Sequence, residues 1–553
     1  MEQWRLVLAI AISILIFVAW DLMFVDKREV PPPQVPAAIE ELHDVPRIAG
    51  PEPEAAIEVL EPAAEIIDSP GRRFSAITIQ TPLYTAQISE KGAALSSFLL
   101  EAYRETVELD APKKQMIPVG NPRGTLLVGL TGERTPDMAG AVYTTIVETD
   151  TVTITDTHQT LTFFTKTASG ILIEKKFTFF PDSYKIELGV LLNNLSGRPL
   201  EGGVDAVIAN PPPDGKGGFS FEGPFAYING SREEIKISDI DKKGVLNGNV
   251  AWAGLTGRYF MIALVPENPN ESSVRISHNT AENLLEVRIA QPTRIMAPDT
   301  PQPYSYCLFL GPKRISDLAR CGENLEKAVD FGFFDIIAKP CLWLMNQIHD
   351  RAIPNYGVAI ILLTMLIKLI FWPLGSKSYK SMAEMKKLQP LMADIRKKYK
   401  DDKKKMNEEV MNLYRTYKVN PMSGCLPMLV QIPVFIAFYR MLYESIELRH
   451  APFWLWINDL SAPDRLFQFD MTIPLMHPPY GIPVLTIIMG ATMLLQQKLS
   501  PPPGDPTQAR IMMMMPVVFT FIFINFPSGL VLYWLVNNVL SIAQQYYITK
   551  KLA

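Results

Sequence analysis

The chain has 553 residues, 53 Lys and Arg against 57 Asp and Glu, and 48% apolar residues. That length implies two or more structural units, and the net charge of −4 hides a segregation of charges along the chain. Four cysteines without CxxC spacing and six scattered histidines without an HxxxH pair exclude the usual metal motifs, and no GxGxxG, Walker loop or GxSxG is present. No metal, cofactor or DNA partner is expected.

Residues 6–25, LVLAIAISILIFVAWDLMFV, form an apolar run near the ~20 residues that span a bilayer. Phe17-Val18-Ala19-Trp20-Asp21 is a poor cleavage context, so residues 1–28 read as an uncleaved signal-anchor. Residues 29–70, rich in Pro, Glu and Ala, have no sustained apolar face and read as an extended linker.

From 71 to 325 the period becomes two. Lys176-Phe177-Thr178-Phe179 and Tyr184-Lys185-Ile186-Glu187-Leu188 alternate polar and apolar residues as half-buried strands do. An all-β sandwich is expected here. Cys307 and Cys321 either pair, if this region is exported, or remain free thiols.

Residues 326–352 contain FGFFDIIAKPCLWLMNQIHD. Phe333, Phe334, Ile337, Leu344 and Ile348 are assigned to the lipid face and Asp335, Lys339, Gln347 and Asp350 to the water face, giving either an interfacial amphipathic helix on the external membrane surface or a plain connector. Apolar runs follow at 357–374, 426–443, 481–497, 511–526 and 529–547. With the first run they make six expected spans, several short enough to imply a locally thinned bilayer.

Residues 374–425 carry thirteen Lys and Arg against six Asp and Glu, whereas 444–473 carry two against five. Basic residues in short loops mark the cytoplasmic side, which places both termini inside and the β domain outside. The stretch 376–420 has apolar residues at three- and four-residue steps (Met382, Met385, Leu388, Met392, Ile395, then Met406, Val410, Leu413). It reads as a helical hairpin with a basic outer face. That face either docks anionic lipid, ribosomal RNA or an acidic partner, or only fixes topology. Eighteen of the 24 methionines lie beyond residue 340, a density suited to accepting varied apolar partners as well as to packing.

Lys368 is the one charge inside GVAIILLTMLIKLIFWPL, residues 357–374. A cation at a span centre costs roughly 2.5–3.5 kcal/mol on insertion scales. It lies five residues before Pro373, about 8 Å along a straight helix, so a lysine stem can snorkel. A hydrated interior site is the other reading, with Thr364 one turn away and Gln431, Gln496, Gln497, Asn537 and Asn538 on neighbouring spans as company. These residues alone leave both readings open.

The motifs FGFFDIIAKP, NYGVAIILLTMLIK, KVNPMSGCLPMLVQIPVFIAFYRML, ELRHAPFWLWINDLSAPD and FPSGLVLYWLVNN together resemble the YidC/Oxa/Alb family of membrane insertases in its Gram-negative form. TPLYTAQISEKGAALSSFLL (81–100) looks like the opening of that family's periplasmic β-supersandwich. The resemblance implies a polytopic α-helical membrane protein with six transmembrane helices, five of them an insertase core at 353–553, and an all-β periplasmic supersandwich at 71–325. It implies a hydrophilic groove, open to cytoplasm and lipid and closed externally, whose cation attracts the acidic leader of a nascent membrane protein. By motif match Lys368 takes the place of that cation, with Thr364, Gln431, Trp534 and Gln497 as further groove positions. The apolar segment would leave past Met428 and Phe435 on the third span and Met515 and Phe519 on the fifth. The implied partners are nascent membrane proteins, the Sec translocon with its accessory subunits, the lipid bilayer, and the ribosome and signal recognition particle machinery. Two features depart from the family: the cation is usually arginine, and the tail ends shortly after the last span in TKKLA, which leaves the hairpin as the ribosome-docking surface. A solute or ion transporter with Lys368 as its binding site is the rival from another class, although the helices show no internal repeat. A sugar-binding or sugar-modifying β domain is a further rival, without a carboxylate–histidine constellation to support it.

Overall fold

A computed structural model describes residues 58–59 and 75–552, apart from 109, 119–120, 122, 132–137, 148, 214–219, 323, 401, 418–425 and 501–505. The expected signal-anchor at 1–28 and most of the linker at 29–70 lie outside the described residues.

The alternation seen in the sequence becomes three β-sheets. The largest has nine strands in the order Ser231–Glu234, Gly223–Ile228, Val250–Thr256, Phe260–Pro266, Gln302–Pro312, Lys185–Asn194, Ile171–Phe179, Gln159–Lys166 and Thr144–Thr145. Its neighbours pair antiparallel throughout. Sheets of seven and five strands complete the unit. In ILIEKKFTF (171–179) every second side chain is buried, as a period-two strand with one face on a core requires. That register puts Lys175 inward with Ile173 and Phe177. Its ammonium is fully buried and donates to the Gly92 carbonyl oxygen at 2.6 Å. Burial pushes its pKa down to about 7, because an amine removed from water disfavours its charged form.

Cys307 and Cys321 form a disulfide with Cα atoms 5.9 Å apart. This decides between the two alternatives left open by spacing, since pairing depends on a distance no sequence displays.

Among the described residues, eight long α-helices follow. We label them α1 (Asp335–Arg351), α2 (Tyr356–Ile370), α3 (Trp372–Lys398), α4 (Lys403–Thr416), α5 (Leu426–Glu444), α6 (Val484–Leu499), α7 (Pro506–Phe523) and α8 (Ser528–Leu552). Their ends follow ordinary chemistry. The Asn355 side chain caps α2 by accepting from the Val358 N–H at 3.0 Å, and Asp402 caps α4 by accepting from the Lys405 N–H at 3.0 Å. Between α3 and α4, Tyr414 donates its hydroxyl to Met392 Sδ at 3.1 Å, and Leu388 and Met392 are buried.

Two expectations need correction. In α1 the faces are rotated from the assignment made on sequence. Phe334, Ile337, Leu344 and Ile348 pack on the core beside buried Ala338, Leu342 and Met345, while Phe333, Ile336 and Trp343 stand exposed. A helix with apolar residues on two sides gives its inner side to the bundle first, which binary patterning alone does not reveal. Second, the run 357–374 is not one helix. It breaks at Phe371, and α2 and α3 diverge by 65°. Pro373 sits in the first turn of α3, where its missing N–H is harmless, but a continuous helix through 369–373 would have lost a backbone hydrogen bond there. Among the described residues no single helix is long and apolar enough to cross a membrane alone, and the bent α2–α3 pair meets that test only together.

The β unit and the helices meet through specific polar contacts. Arg258 donates from Nε to the Tyr443 carbonyl oxygen at 2.9 Å and stacks over the Tyr443 ring at 3.7 Å. Arg449 Nη2 donates to the carbonyl oxygens of Arg104 and Glu105 at 2.6 and 3.0 Å. Lys313 and Glu447 are both buried at this junction. Burial lowers the lysine to about 8 and raises the carboxyl.

Candidate functional site

The break at Phe371 sets the position of Lys368. That break leaves it in the last turn of α2, where the partial negative charge of the helix C-terminus favours a cation. Its ammonium donates to Ser541 Oγ at 2.6 Å and to Asn537 Oδ1 at 3.3 Å, both on α8. Gln431 Nε2, from α5, donates to the same Asn537 Oδ1 at 3.0 Å. Three helices therefore converge on one amide oxygen. Among the described residues Lys368 has no carboxylate partner. Its hydrogen-bond acceptors are both neutral, an amide oxygen and a hydroxyl.

The α8 side of this site is built by helical spacing. Asn537, Ser541 and Gln544 recur at steps of four and three, so they share a face. Gln544 Nε2 donates to the Trp372 carbonyl oxygen at 3.0 Å and to Ser376 Oγ at 3.3 Å, tying α8 to the first turn of α3 just past the break. Tyr379 reaches Ser541 as well. On an adjacent row, Asn538 Nδ2 donates to Thr492 Oγ1 on α6 at 3.3 Å, and Gln545 Nε2 to the Leu499 carbonyl oxygen at 3.1 Å. Sequence reasoning reached Asn537 and Asn538 but missed Ser541, Gln544, Gln545 and Tyr379. The available signal was the three-to-four-residue recurrence of polar residues through an otherwise apolar helix.

The other expected groove residues separate into two groups. Thr364 is buried one turn before Lys368, but its hydroxyl donates to its own helix, at the Ile360 carbonyl oxygen, 2.6 Å away. Gln497 is partly buried on α6 and makes no hydrogen bond to Lys368, Asn537 or Ser541. Trp534 stands one turn from Asn537 and joins an aromatic cluster with Phe435 (ring centroids 4.6 Å, edge-on), Phe519 (6.1 Å) and Phe523 (5.0 Å). This brings Trp534 together with Phe435 on α5 and Phe519 on α7, two of the residues assigned to an exit path. Met515, one turn before Phe519, is exposed. Met428 lies in the first turn of α5, whose side chains are outside the described set.

At the end of the helices nearest the β unit, the segment 445–483 packs as a plug. Asp464 accepts from Trp456 Nε1 and, at 2.5 Å, from the Leu485 N–H at the start of α6. Arg465 donates to the carbonyl oxygens of Pro479, Asp464 and Ile524 at 2.8–2.9 Å. The Phe453 ring lies so close to Gly357 that a Cβ there would fall 2.1 Å from Phe453 Cδ2. These contacts close the packing at that end of the helices.

Residues 76–344 match the family described as YidC periplasmic domain, and 348–553 match the 60Kd inner membrane protein family. Relatives named membrane protein insertase YidC include that of Syntrophobacter fumaroxidans, 40% identical over 99% of both chains. Those of Pelobacter propionicus (40% identical, 99% of both) and Syntrophus aciditrophicus (43% identical, 86% of this chain and 85% of that one) are similar to it as well. With similarity running end to end through both the β unit and the helices, the chain belongs to the YidC family of membrane protein insertases, inner-membrane proteins with a periplasmic β domain.

Proposed function

We propose that the protein inserts nascent membrane proteins into the bacterial inner membrane through a hydrophilic groove centred on Lys368. The observation that carries this reading is the ammonium held by Asn537 and Ser541 without an ion-pair partner. A charge satisfied by neutral acceptors keeps its long-range attraction, so it can draw an acidic leader partway into the bilayer. There each unsatisfied polar group would otherwise cost several kcal/mol. No covalent step is involved, and the protein is not an enzyme. The apolar segment then leaves past the Trp534, Phe435 and Phe519 rings, with Met515 at the lipid side.

In this reading six helices span the membrane: the N-terminal run, the bent α2–α3 unit, α5, α6, α7 and α8, with both termini cytoplasmic. The units follow the boundaries 1–28, 29–70, 71–325, 326–352 and 353–553. Helix α2 has 15 residues and α6 has 16, about 22–24 Å at 1.5 Å per residue against a hydrocarbon core of ~30 Å. Their shortness supports a thinned bilayer around the core. The α3–α4 hairpin, 376–420, is the docking surface for ribosome and signal recognition particle, and the protein works alone or with the Sec translocon.

The test uses proteoliposomes and a small phage-coat-type substrate with an acidic leader. Lys368→Arg retains protease-protected insertion, whereas Lys368→Ala reduces it. Equal activity of the two on every substrate would refute the groove cation in favour of snorkelling. Solute flux without insertion would support the transporter instead.

A further inference from the structure

The segment 466–482, LFQFDMTIPLMHPPYGI, contains no Lys or Arg, and only Asp470 and His477 can carry charge near neutral pH. It forms a hairpin of strands Leu466–Phe469 and Tyr480–Ile482. Three of its large apolar side chains stand exposed, Phe467 at 73%, Met471 at 68% and Leu475 at 77%, while Met476 is buried. In the preceding turn Leu455 is 87% exposed. Three of these four, Leu455, Phe467 and Leu475, hold left-handed backbone (φ 60°, 50° and 66°), a region that non-glycine residues rarely occupy. The fold thus works against both the hydrophobic effect and backbone preference to present these side chains outward.

The hairpin is firmly fastened. Asn525, just past α7, donates from Nδ2 to the Leu475 carbonyl oxygen at 2.7 Å and accepts from the His477 N–H at 2.8 Å. Arg465 ties its base to Ile524 at the end of α7, and Asp464 ties it to Leu485 at the start of α6. These anchors hold the exposed residues level with the ends of the helices.

We propose that this hairpin is a lipid-binding surface, with Phe467, Met471 and Leu475 seated at the headgroup–acyl boundary of the outer leaflet. The inference rests on the span arrangement given under Proposed function. Its position beside the helix ends, its lack of basic and near lack of acidic groups, and its apolar tips fit an interfacial lipid layer better than a charged protein partner. Such an anchor fixes the depth of the capped end of the core, so that the short helices draw the two leaflets together.

The experiment uses full-length protein in nanodiscs, in a C341S/C425S background that leaves the Cys307–Cys321 bridge intact. An environment-sensitive fluorophore is attached at F467C, M471C or L475C. K243C, on the exposed surface of the β domain, reports water, and I487C, exposed on α6, reports the spans. A nitroxide lipid labelled near the headgroup should quench the three hairpin positions about threefold or more above K243C, while a deep nitroxide quenches I487C. Hairpin quenching equal to K243C with I487C still quenched overturns the inference and leaves the spans standing. Loss of quenching at I487C as well overturns the span reading itself. Hairpin positions shielded from both lipid nitroxide and aqueous iodide identify a protein partner or second copy, and also overturn the lipid assignment.

Discussion

Replacing Asn537 with aspartate would place a carboxylate where Lys368 now meets a neutral amide oxygen 3.3 Å away. At an effective dielectric of ~20, the new pair interacts by about 5 kcal/mol, enough to hold the ammonium in place. The consequence for a substrate follows from the same arithmetic. A leader carboxylate at ~5 Å from the ammonium gains about 3 kcal/mol, and a fixed carboxylate ~7 Å from it takes back about 2. A loss of about 2 kcal/mol is roughly a 30-fold fall in insertion of acidic-leader substrates, with neutral leaders spared. Asn537→Ala removes the shared acceptor but adds no charge, so it should cost only a few-fold on either substrate. Protease protection in proteoliposomes, with leaders differing only in acidic residues, measures both. If N537D and N537A behave alike on the acidic leader, the uncancelled charge is not what the site offers.

Three further outcomes test the surrounding structure. Lys175 has a folded-state pKa depressed to about 7 from 10.5. The burial cost is therefore full below pH 7 and relieved as pH rises toward 10.5, because the unfolded chain binds the extra proton in that window. Stability should climb by up to about 1.4 kcal/mol per pH unit there, and Lys175→Met should raise the midpoint and flatten that slope in thermal unfolding of the purified protein. Opening the Cys307–Cys321 bridge, 14 residues apart in sequence, by a double serine substitution should destabilise the β unit by about 3 kcal/mol, read by differential scanning with and without reductant. Gly357→Ala should displace the Phe453 ring and cost about 1–3 kcal/mol by overpacking, seen as increased protease access to the 445–483 segment.

The strands and the five apolar runs beyond residue 353 were legible because period and composition are local properties. Gln431 and Asn537 were visible as polar residues in apolar surroundings, yet their sharing of one oxygen depends on how α5 and α8 approach, which no run of residues encodes. The break at Phe371 had a signal in Trp372-Pro373, but continuous apolarity through 357–374 masked it. The break leaves Lys368 in the last turn of α2. The inner and outer sides of α1 were misassigned because both carry large apolar residues, and only the neighbours decide which side is buried. Lys175 illustrates the opposite case: strand alternation placed it inward, and physical intuition about charge would have placed it outward.

The cap made by Asp464, Arg465 and Phe453 has a consequence for the cell's energy supply. In the proposed groove, a hydrated path that enters from one side and stops against these packed side chains would give protons and sodium ions no route through. On the proposed reading, the groove could stay wet without discharging the gradient across the membrane. The work of insertion is left to the affinities of the substrate's own segments for water, charge and lipid.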